Sequence, residues 1–236
     1  MYSDISSLVY TNGKRVSILS SEEGIHQGDP LGPALFSIAI QSSLLEVQRA
    51  NPNVTCLAYL DDVFILGPVD AVVAASADLR SSFSPIGLVI QDKKCELFIS
   101  EVSPPCDVSF PVSSDGVIIL GIPIGNSSFI STVCTDCAQS GSLLCEELLQ
   151  LEDTQSALLL LRYCHINRLC HLLRSIPPQD LSHAAVIHDR QTRTAFTKLL
   201  NIDEMTAEPW AQATLPVRSG PIRSPLQHQR ASAQFD

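Results

Sequence analysis

Short runs of apolar and β-branched residues, separated by turn residues, dominate the first part of the chain. The first two runs flank Asn12-Gly13, a dipeptide that strongly favours a two-residue β-turn because both positions accept positive φ. The chain is therefore predicted to open with a β-hairpin. Residues 54–60 and 63–67 are also rich in β-branched and large apolar side chains, which predicts two further strands.

Helical spacing of apolar residues begins after a glycine- and proline-rich loop. A helix is predicted from Pro33 to about Ala50, with Leu35, Ile38 and Leu45 on its buried face. Proline suits the first helical position because its missing N–H would have no partner there.

From residue 126 to about residue 204 the spacing is helical, whereas strands prevail before it. This change predicts an α+β fold, in which an antiparallel sheet of three or four strands packs on two helices and a helical region follows. The predicted domains are 1–125, 126–204 and an irregular segment at 205–236. The further predicted helices span 69–83, 127–149, 153–174 and 178–200.

Asp61 and Asp62 lie between two of the predicted strands. Neighbours in an extended strand point to opposite faces, so one carboxylate would enter the core unpaired, which is costly. Asp accepts turn geometry, so residues 57–66 are predicted to form a tight hairpin with both carboxylates at its tip. Two oxygen ligands side by side suit Mg²⁺ or Mn²⁺. A polar turn that carries two Asp by chance is the alternative.

Residues 24–33 contain three Gly and two Pro and lead into the first predicted helix. Phosphate or sugar can approach the backbone at such a place, and a purely structural turn and cap is the alternative. Lys93-Lys94 lies in a predicted basic turn, which could face bound phosphates or only solvent.

Hydrophobic residues make up 45% of the 236 residues and charged residues 17%, which is typical of a globular protein. No apolar run is long enough to span a membrane, and no secretory signal is visible, so an intracellular location is expected. The eight cysteines are expected to be reduced. Cys134 and Cys137 have a zinc-like spacing but no second pair near them, so no zinc site is predicted.

The net charge of −10 argues against a nucleic-acid partner for the chain as a whole. The charge is uneven, however. Residues 1–157 hold 6 Lys and Arg against 19 Asp and Glu, whereas residues 158–236 hold 9 against 6. A basic helical part can still bind a phosphate backbone locally.

Four motifs occur in a specific order. They are the loop QGDPLGP leading into a helix, then AYLDDV, then GL followed by KKCE, and finally LGIPIG. This order resembles the reverse transcriptase domain of non-LTR retrotransposons, and the resemblance covers nearly the whole chain.

The resemblance implies a polymerase palm followed by a helical thumb. It implies that Asp61 and Asp62 are catalytic carboxylates that bind Mg²⁺ or Mn²⁺, with Tyr59 beside the primer end. It assigns nucleotide or template contacts to Gln27, Gly28, Pro30, Gly32, Tyr59 and Lys94. It assigns a primer grip to Leu120, Gly121, Pro123 and Gly125.

The implied reaction is RNA-directed DNA synthesis on an RNA template. A DNA primer 3′-hydroxyl attacks the α-phosphate of a deoxynucleoside triphosphate between two metals about 3.5–4 Å apart. The family's third metal-binding Asp and its fingers precede the opening hairpin and find no match here. We therefore expect an N-terminally truncated domain that is inactive alone. The alternatives are a non-catalytic remnant that binds RNA or protein, and another palm-type enzyme such as a nucleotidyl cyclase, which the QGDPLGP loop disfavours.

Overall fold

The computed structural model describes residues 6–13, 15–21, 28–100, 108–203 and 205–214. By its internal contacts the chain forms two compact units. The first unit comprises Met1–Cys95 and Ser103–Phe110, and the second comprises Glu96–Val102 and Pro111–Asp236. Both helices and strands are present, which confirms a mixed α and β composition. The boundaries expected at residues 125 and 204 concern family domains and stay predictions.

The secondary structure follows in chain order. The strands are β1 (Ser6–Asn12), β2 (Arg15–Ser21), β3 (Thr55–Tyr59), β4 (Asp62–Leu66), β5 (Leu97–Phe98), β6 (Val112–Ser113), β7 (Gly116–Ile119) and β8 (Ile122–Gly125). The helices are α1 (Gly32–Ala50), α2 (Val69–Phe83), α3 (Ser127–Gln139), α4 (Gly141–Leu148), α5 (Thr154–Leu160), α6 (Leu172–Ser175), α7 (Pro178–Leu199) and α8 (Ala207–Ala213). In the described part of the chain, no helix is both long and apolar enough to cross a membrane.

Every sheet among the described residues has two strands, paired β1–β2, β3–β4, β5–β6 and β7–β8. The predicted sheet of three or four strands is therefore not formed there. The β5–β6 pair is parallel and the other three are antiparallel. The opening hairpin is confirmed, but Asn12 pairs with Arg15 and so belongs to the strand. Gly13 follows at φ 61°, so the turn lies one residue later than predicted.

The core of the first unit lies between α1, α2 and one face of the β3–β4 hairpin. Ile40 and Val47 of α1 pack with Ala75 and Leu79 of α2. The bounds predicted for α1 are confirmed, but its predicted buried face is wrong. Leu35, Ile38 and Leu45 are 40%, 67% and 45% exposed. The helix is apolar on two sides, and α2 covers the side that carries Ile40 and Val47.

Two side chains near the C-terminal half of α1 bind α2. The Ser43 hydroxyl donates to the carbonyl of Ser82 at 3.2 Å. The Asn51 side-chain amide donates to the Asp78 carboxylate at 2.8 Å. These bonds add direction to a contact that is otherwise apolar and non-directional.

The second unit contains two apolar cores that share helix α7. One core joins α3 and α7 through Cys134, Leu181 and their neighbours, and the other joins α4 and α7 through Leu148 and Phe196. The predicted helix 178–200 is confirmed as α7. The helix predicted at 127–149 is instead split at Ser140.

The predicted helix 153–174 is also not continuous. Helix α5 passes into a π-helical turn at Leu161–His165, then into a 3₁₀ turn at Ile166–Leu169, and α6 follows. A π turn inserts one residue per turn and so turns the following side chains to a different side.

Two fully buried histidines stack between these segments. The rings of His165 and His188 lie 4.3 Å apart with an interplanar angle of 7°. The Nε2–H of His188 donates to the His165 carbonyl at 3.0 Å, and the Cys145 sulfur lies 3.5 Å from Nδ1 of His165. Burial and the neighbouring His188 and Arg168 lower the pKa of His165 to about 4. Burial also lowers the pKa of His188.

This stack makes the second unit sensitive to acid. An unfolded histidine binds a proton below about pH 6.5, whereas folded His165 stays neutral until about pH 4. The unfolded state therefore holds more protons in that window, and the free energy of unfolding should fall as the pH drops from 6.5 towards 4. Chemical denaturation at a series of pH values measures this. A double H165Q/H188Q variant should flatten the profile, whereas H183Q, at an exposed histidine of α7, should not.

Candidate functional site

The hairpin that carries the two adjacent carboxylates closes with two residues. Tyr59 pairs with Asp62, which leaves only Leu60 and Asp61 as the loop. Asp61 is therefore in the tip and Asp62 is the first residue of β4. The predicted tight hairpin over residues 57–66 is confirmed, but its loop lies one residue earlier than predicted, because Asp62 already pairs within the strand.

The tip includes a non-glycine residue in the left-handed region of φ. Leu60 has φ 56°, whereas Asp61 is not in the positive-φ region. A two-residue loop of this kind has the signs of a type II′ turn, which normally has glycine at the first position. A left-handed leucine costs about 1–2 kcal/mol, so the rest of the hairpin must hold it there.

Both carboxylates face solvent at one end of the hairpin. Asp61, Asp62 and Tyr59 are all exposed, and the tyrosine is 62% exposed. Directly opposite residues of an antiparallel pair share a face, so Tyr59 and Asp62 point to the same side. The other face carries Val63, which packs towards the core. The strands therefore leave the acidic end uncovered.

The two carboxylates at this end of the hairpin suit a hard divalent cation that keeps open coordination positions. Mg²⁺ usually keeps several waters and uses one or two protein carboxylates together with substrate phosphates. Asp61 and Asp62 supply two. Within the described residues no group of three or more His, Cys, Asp and Glu could hold a metal ion, so a closed protein site is not formed there.

The glycine-rich loop ends in a compact turn at the start of α1. The Asp29 side chain accepts from the Leu31 N–H at 2.8 Å, and its carbonyl accepts from the Gly32 N–H at 3.0 Å. Gly28 has φ 90° and is exposed, as is Pro30, whereas Gly32 is buried. Gln27 lies outside the described residues. Of the loop residues assigned to nucleotide contact, Gly28 and Pro30 are thus accessible.

Lys94 lies in a 3₁₀ turn, Asp92–Lys94, of the same unit and is exposed. Arg80 of α2 binds the Asp92 carboxylate at 2.5 Å, and the Ser109 hydroxyl donates to it at 3.0 Å. The sequence pattern pointed to Lys94 but not to the bonds by which Asp92 attaches this turn to Arg80 and Ser109. The sequence signal that could have indicated this attachment is Asp92 directly before two lysines, together with Arg80 as the one arginine of the preceding helix.

The four residues assigned to a primer grip belong to the second unit. Leu120 (φ 51°) and Gly121 (φ 79°) form the two-residue tip between β7 and β8 and are exposed. Pro123 is fully buried. A Cβ on Gly125 would lie 2.2 Å from the Asp115 carbonyl oxygen, so glycine is needed there for close packing. Of the four assigned residues, Leu120 and Gly121 are therefore the two that can meet a ligand.

Comparisons with known proteins identify a family for these motifs. The family described as "Reverse transcriptase (RNA-dependent DNA polymerase)" matches residues 2–124, just over half of the chain. The Retrotransposable element SLACS 132 kDa protein of Trypanosoma brucei gambiense is 34% identical over 88 residues, which are 37% of this chain and 7% of that protein. The chain thus covers a small part of the length of this relative. No solved structure matches the chain.

We expect Leu60→Ile to destabilise the hairpin relative to Leu60→Gly. Isoleucine keeps the side-chain volume but adds a β-branch, which is poorly tolerated at φ 56°. The difference in the free energy of unfolding should be about 1 kcal/mol. Denaturant unfolding of both variants measures it. The same pair of changes at Leu57, which lies inside β3, should reverse the order, because strands favour isoleucine over glycine.

Proposed function

This chain belongs to the reverse transcriptase family, and we propose that its Asp61–Asp62 hairpin is the metal-binding centre of an RNA-directed DNA polymerase domain. One observation carries the proposal: two adjacent carboxylates, Asp61 in the two-residue loop and Asp62 at the start of β4, are exposed together at one end of the hairpin. Folding alone gives no reason for two neighbouring acids at that position.

The proposed ligands are Mg²⁺ or Mn²⁺, held by Asp61 and Asp62. When bound, such ions stabilise charge on the attacking and leaving oxygens of phosphoryl transfer. The chain's own groups would orient the reactants. Tyr59, on the same face as Asp62, would lie beside the primer 3′ end, and Lys94 would offer a positive charge to the triphosphate.

The proposed substrates are an RNA template, a DNA primer and deoxynucleoside triphosphates. In this scheme the first unit supplies palm elements, with Gly28 and Pro30 on the exposed part of the loop. The helices of the second unit supply the thumb, and the Leu120–Gly121 tip contacts the primer. Catalysis of this type depends on positioned charge rather than on a reactive side chain.

A non-catalytic nucleic-acid or protein binding module is the second candidate. The number of carboxylates favours it, because the described residues bring no third acidic, histidine or cysteine ligand to Asp61 and Asp62. The net charge of −10 favours a protein partner over nucleic acid.

We expect ferrous iron, used as a Mg²⁺ substitute with ascorbate and peroxide, to cut the backbone between Tyr59 and Val63. Radicals formed at a bound ion act locally, so the position of the cuts reports the site. Excess Mg²⁺ should suppress cleavage, and a D61N/D62N variant should lose it. Mass spectrometry of the fragments measures the result.

The matched control is Asp70→Asn, which removes an exposed carboxylate at the start of α2. It should cleave as the parent chain does. Cleavage between Tyr59 and Val63 that persists in D61N/D62N would contradict the proposed metal centre.

We expect the 236-residue chain alone to give no primer extension with Mg²⁺ or Mn²⁺, because the described residues bring no third ligand to Asp61 and Asp62 for the second metal of a two-metal site. An RNA-templated primer assay with labelled nucleotides measures this. Extension that depends on metal and disappears in Asp61→Ala would show that these two carboxylates suffice, and would reject the binding-module alternative.

A further inference from the structure

The side chain of Gln48 binds the outer edge of strand β3 with both halves of its amide. Its Nε2–H donates to the carbonyl of Val54 at 2.5 Å, and its Oε1 accepts from the N–H of Cys56 at 2.8 Å. The orientation of the amide is unambiguous, because a backbone N–H can only donate and a carbonyl oxygen can only accept.

These two backbone groups are the ones that a third strand would otherwise bind. In an antiparallel pair, alternate residues direct their N–H and C=O groups away from the partner strand. Every residue of β3 stands opposite a residue of β4, and Cys56 stands opposite Ile65. The N–H of Cys56 nevertheless points away from β4, because it donates to Gln48. A glutamine amide carries the donor and acceptor of one peptide unit. Gln48 therefore substitutes for one residue of a neighbouring strand.

Among the described residues, no other hydrogen bond joins α1 directly to the hairpin that carries Asp61 and Asp62. The remaining contact is apolar: Cys56, Val63 and Ile65 pack against the core of α1 and α2. Apolar contact is non-directional, and it tolerates small sliding of the hairpin along the helix. Two hydrogen bonds to one amide fix both the distance and the position along the strand.

Helix α1 extends from the glycine-rich loop at its start to Gln48 in its last turn. Its N-terminal end follows Gly28 and Pro30, and its C-terminal end holds β3. Because a helix of 19 residues is stiff along its axis, the attachment at Gln48 also sets the hairpin relative to the loop.

We propose that Gln48 is a positioning residue, which holds the Asp61–Asp62 hairpin at a fixed distance from helix α1 and so from the loop that precedes it. The proposal rests on the proposed function, since it assigns Gln48 to the same metal centre. Gln48 touches neither metal nor substrate and acts only through β3.

Three variants separate this role from general support of the fold. Gln48→Leu removes both bonds at similar volume. Gln48→Glu keeps the acceptor for the Cys56 N–H but offers no donor to Val54. Gln41→Leu is the matched control, because Gln41 is an exposed glutamine two turns earlier on the same helix.

Amide hydrogen exchange in the full chain provides the first measurement. Loss of two hydrogen bonds should speed exchange of the Cys56 amide about tenfold or more in Gln48→Leu. Exchange in Gln48→Glu should be intermediate. In Gln41→Leu the rate should equal that of the parent chain.

Iron-directed cleavage provides the second measurement. It is carried out under conditions where circular dichroism shows that every variant is folded. In Gln48→Leu we expect the cuts between Tyr59 and Val63 to weaken several-fold and to spread along the chain, with partial recovery in Gln48→Glu. A purely structural role predicts a lower melting temperature with unchanged cut positions, and that result would overturn the proposal.

The two proposals fail differently. If the parent chain shows no cleavage that depends on Asp61 and Asp62, the metal centre itself is wrong and the positioning role fails with it, even where exchange of the Cys56 amide shows that Gln48 binds β3. If the parent chain cleaves and Gln48→Leu matches it in intensity, position and exchange, only the role of Gln48 is wrong.

Discussion

The closure of the β3–β4 hairpin by two residues is the constraint on which the candidate site depends. Because Tyr59 stands opposite Asp62, the chain has only Leu60 and Asp61 with which to reverse direction. Consecutive acids are thereby brought to one end of the hairpin. A shift of pairing by one residue would exchange the two faces. The packing of Val63 on the core of the first unit opposes such a shift.

Local signals in the sequence were enough for the main elements of the first unit. The bounds of α1 and α2 and the β3–β4 hairpin follow from apolar spacing, proline and turn residues. The buried side of α1 did not follow, because Ile38 and Ile40 belong to two apolar sides of one helix and only Ile40 is covered. Which side is covered depends on where α2 lies, and periodicity within α1 carries no information about that.

In the second unit, too, the spacing of apolar residues did not predict how the helices are divided. The spacing of apolar residues suggested unbroken helices, but tertiary contacts divide them. A Cβ on Gly141 would lie 2.8 Å from the His165 ring, so glycine at the first position of α4 lets this helix and the π-helical turn approach closely. At the candidate site, the order of motifs drew attention to Asp61 and Asp62, whose metal-binding role stays a prediction. Gln48 acts on a strand that follows it in the chain and carries no local signature of that role. For Asp92 the local signal was only its place directly before two lysines, and its partner Arg80 lies in the preceding helix.

The attachment of the basic turn by Asp92 makes that turn respond to ionic strength in two ways. Dissolved salt screens the charge of Lys94 for any anion that approaches it. Salt also weakens the Arg80–Asp92 pair, whose side chains are 34% and 44% exposed. The hydrogen bond from Ser109 is neutral on the donor side and limits this loosening. As the salt concentration rises, the attraction of Lys94 for anions and the rigidity of the turn therefore both decrease. The affinity of this turn for anions should then fall more steeply with salt than the charge of Lys94 alone requires.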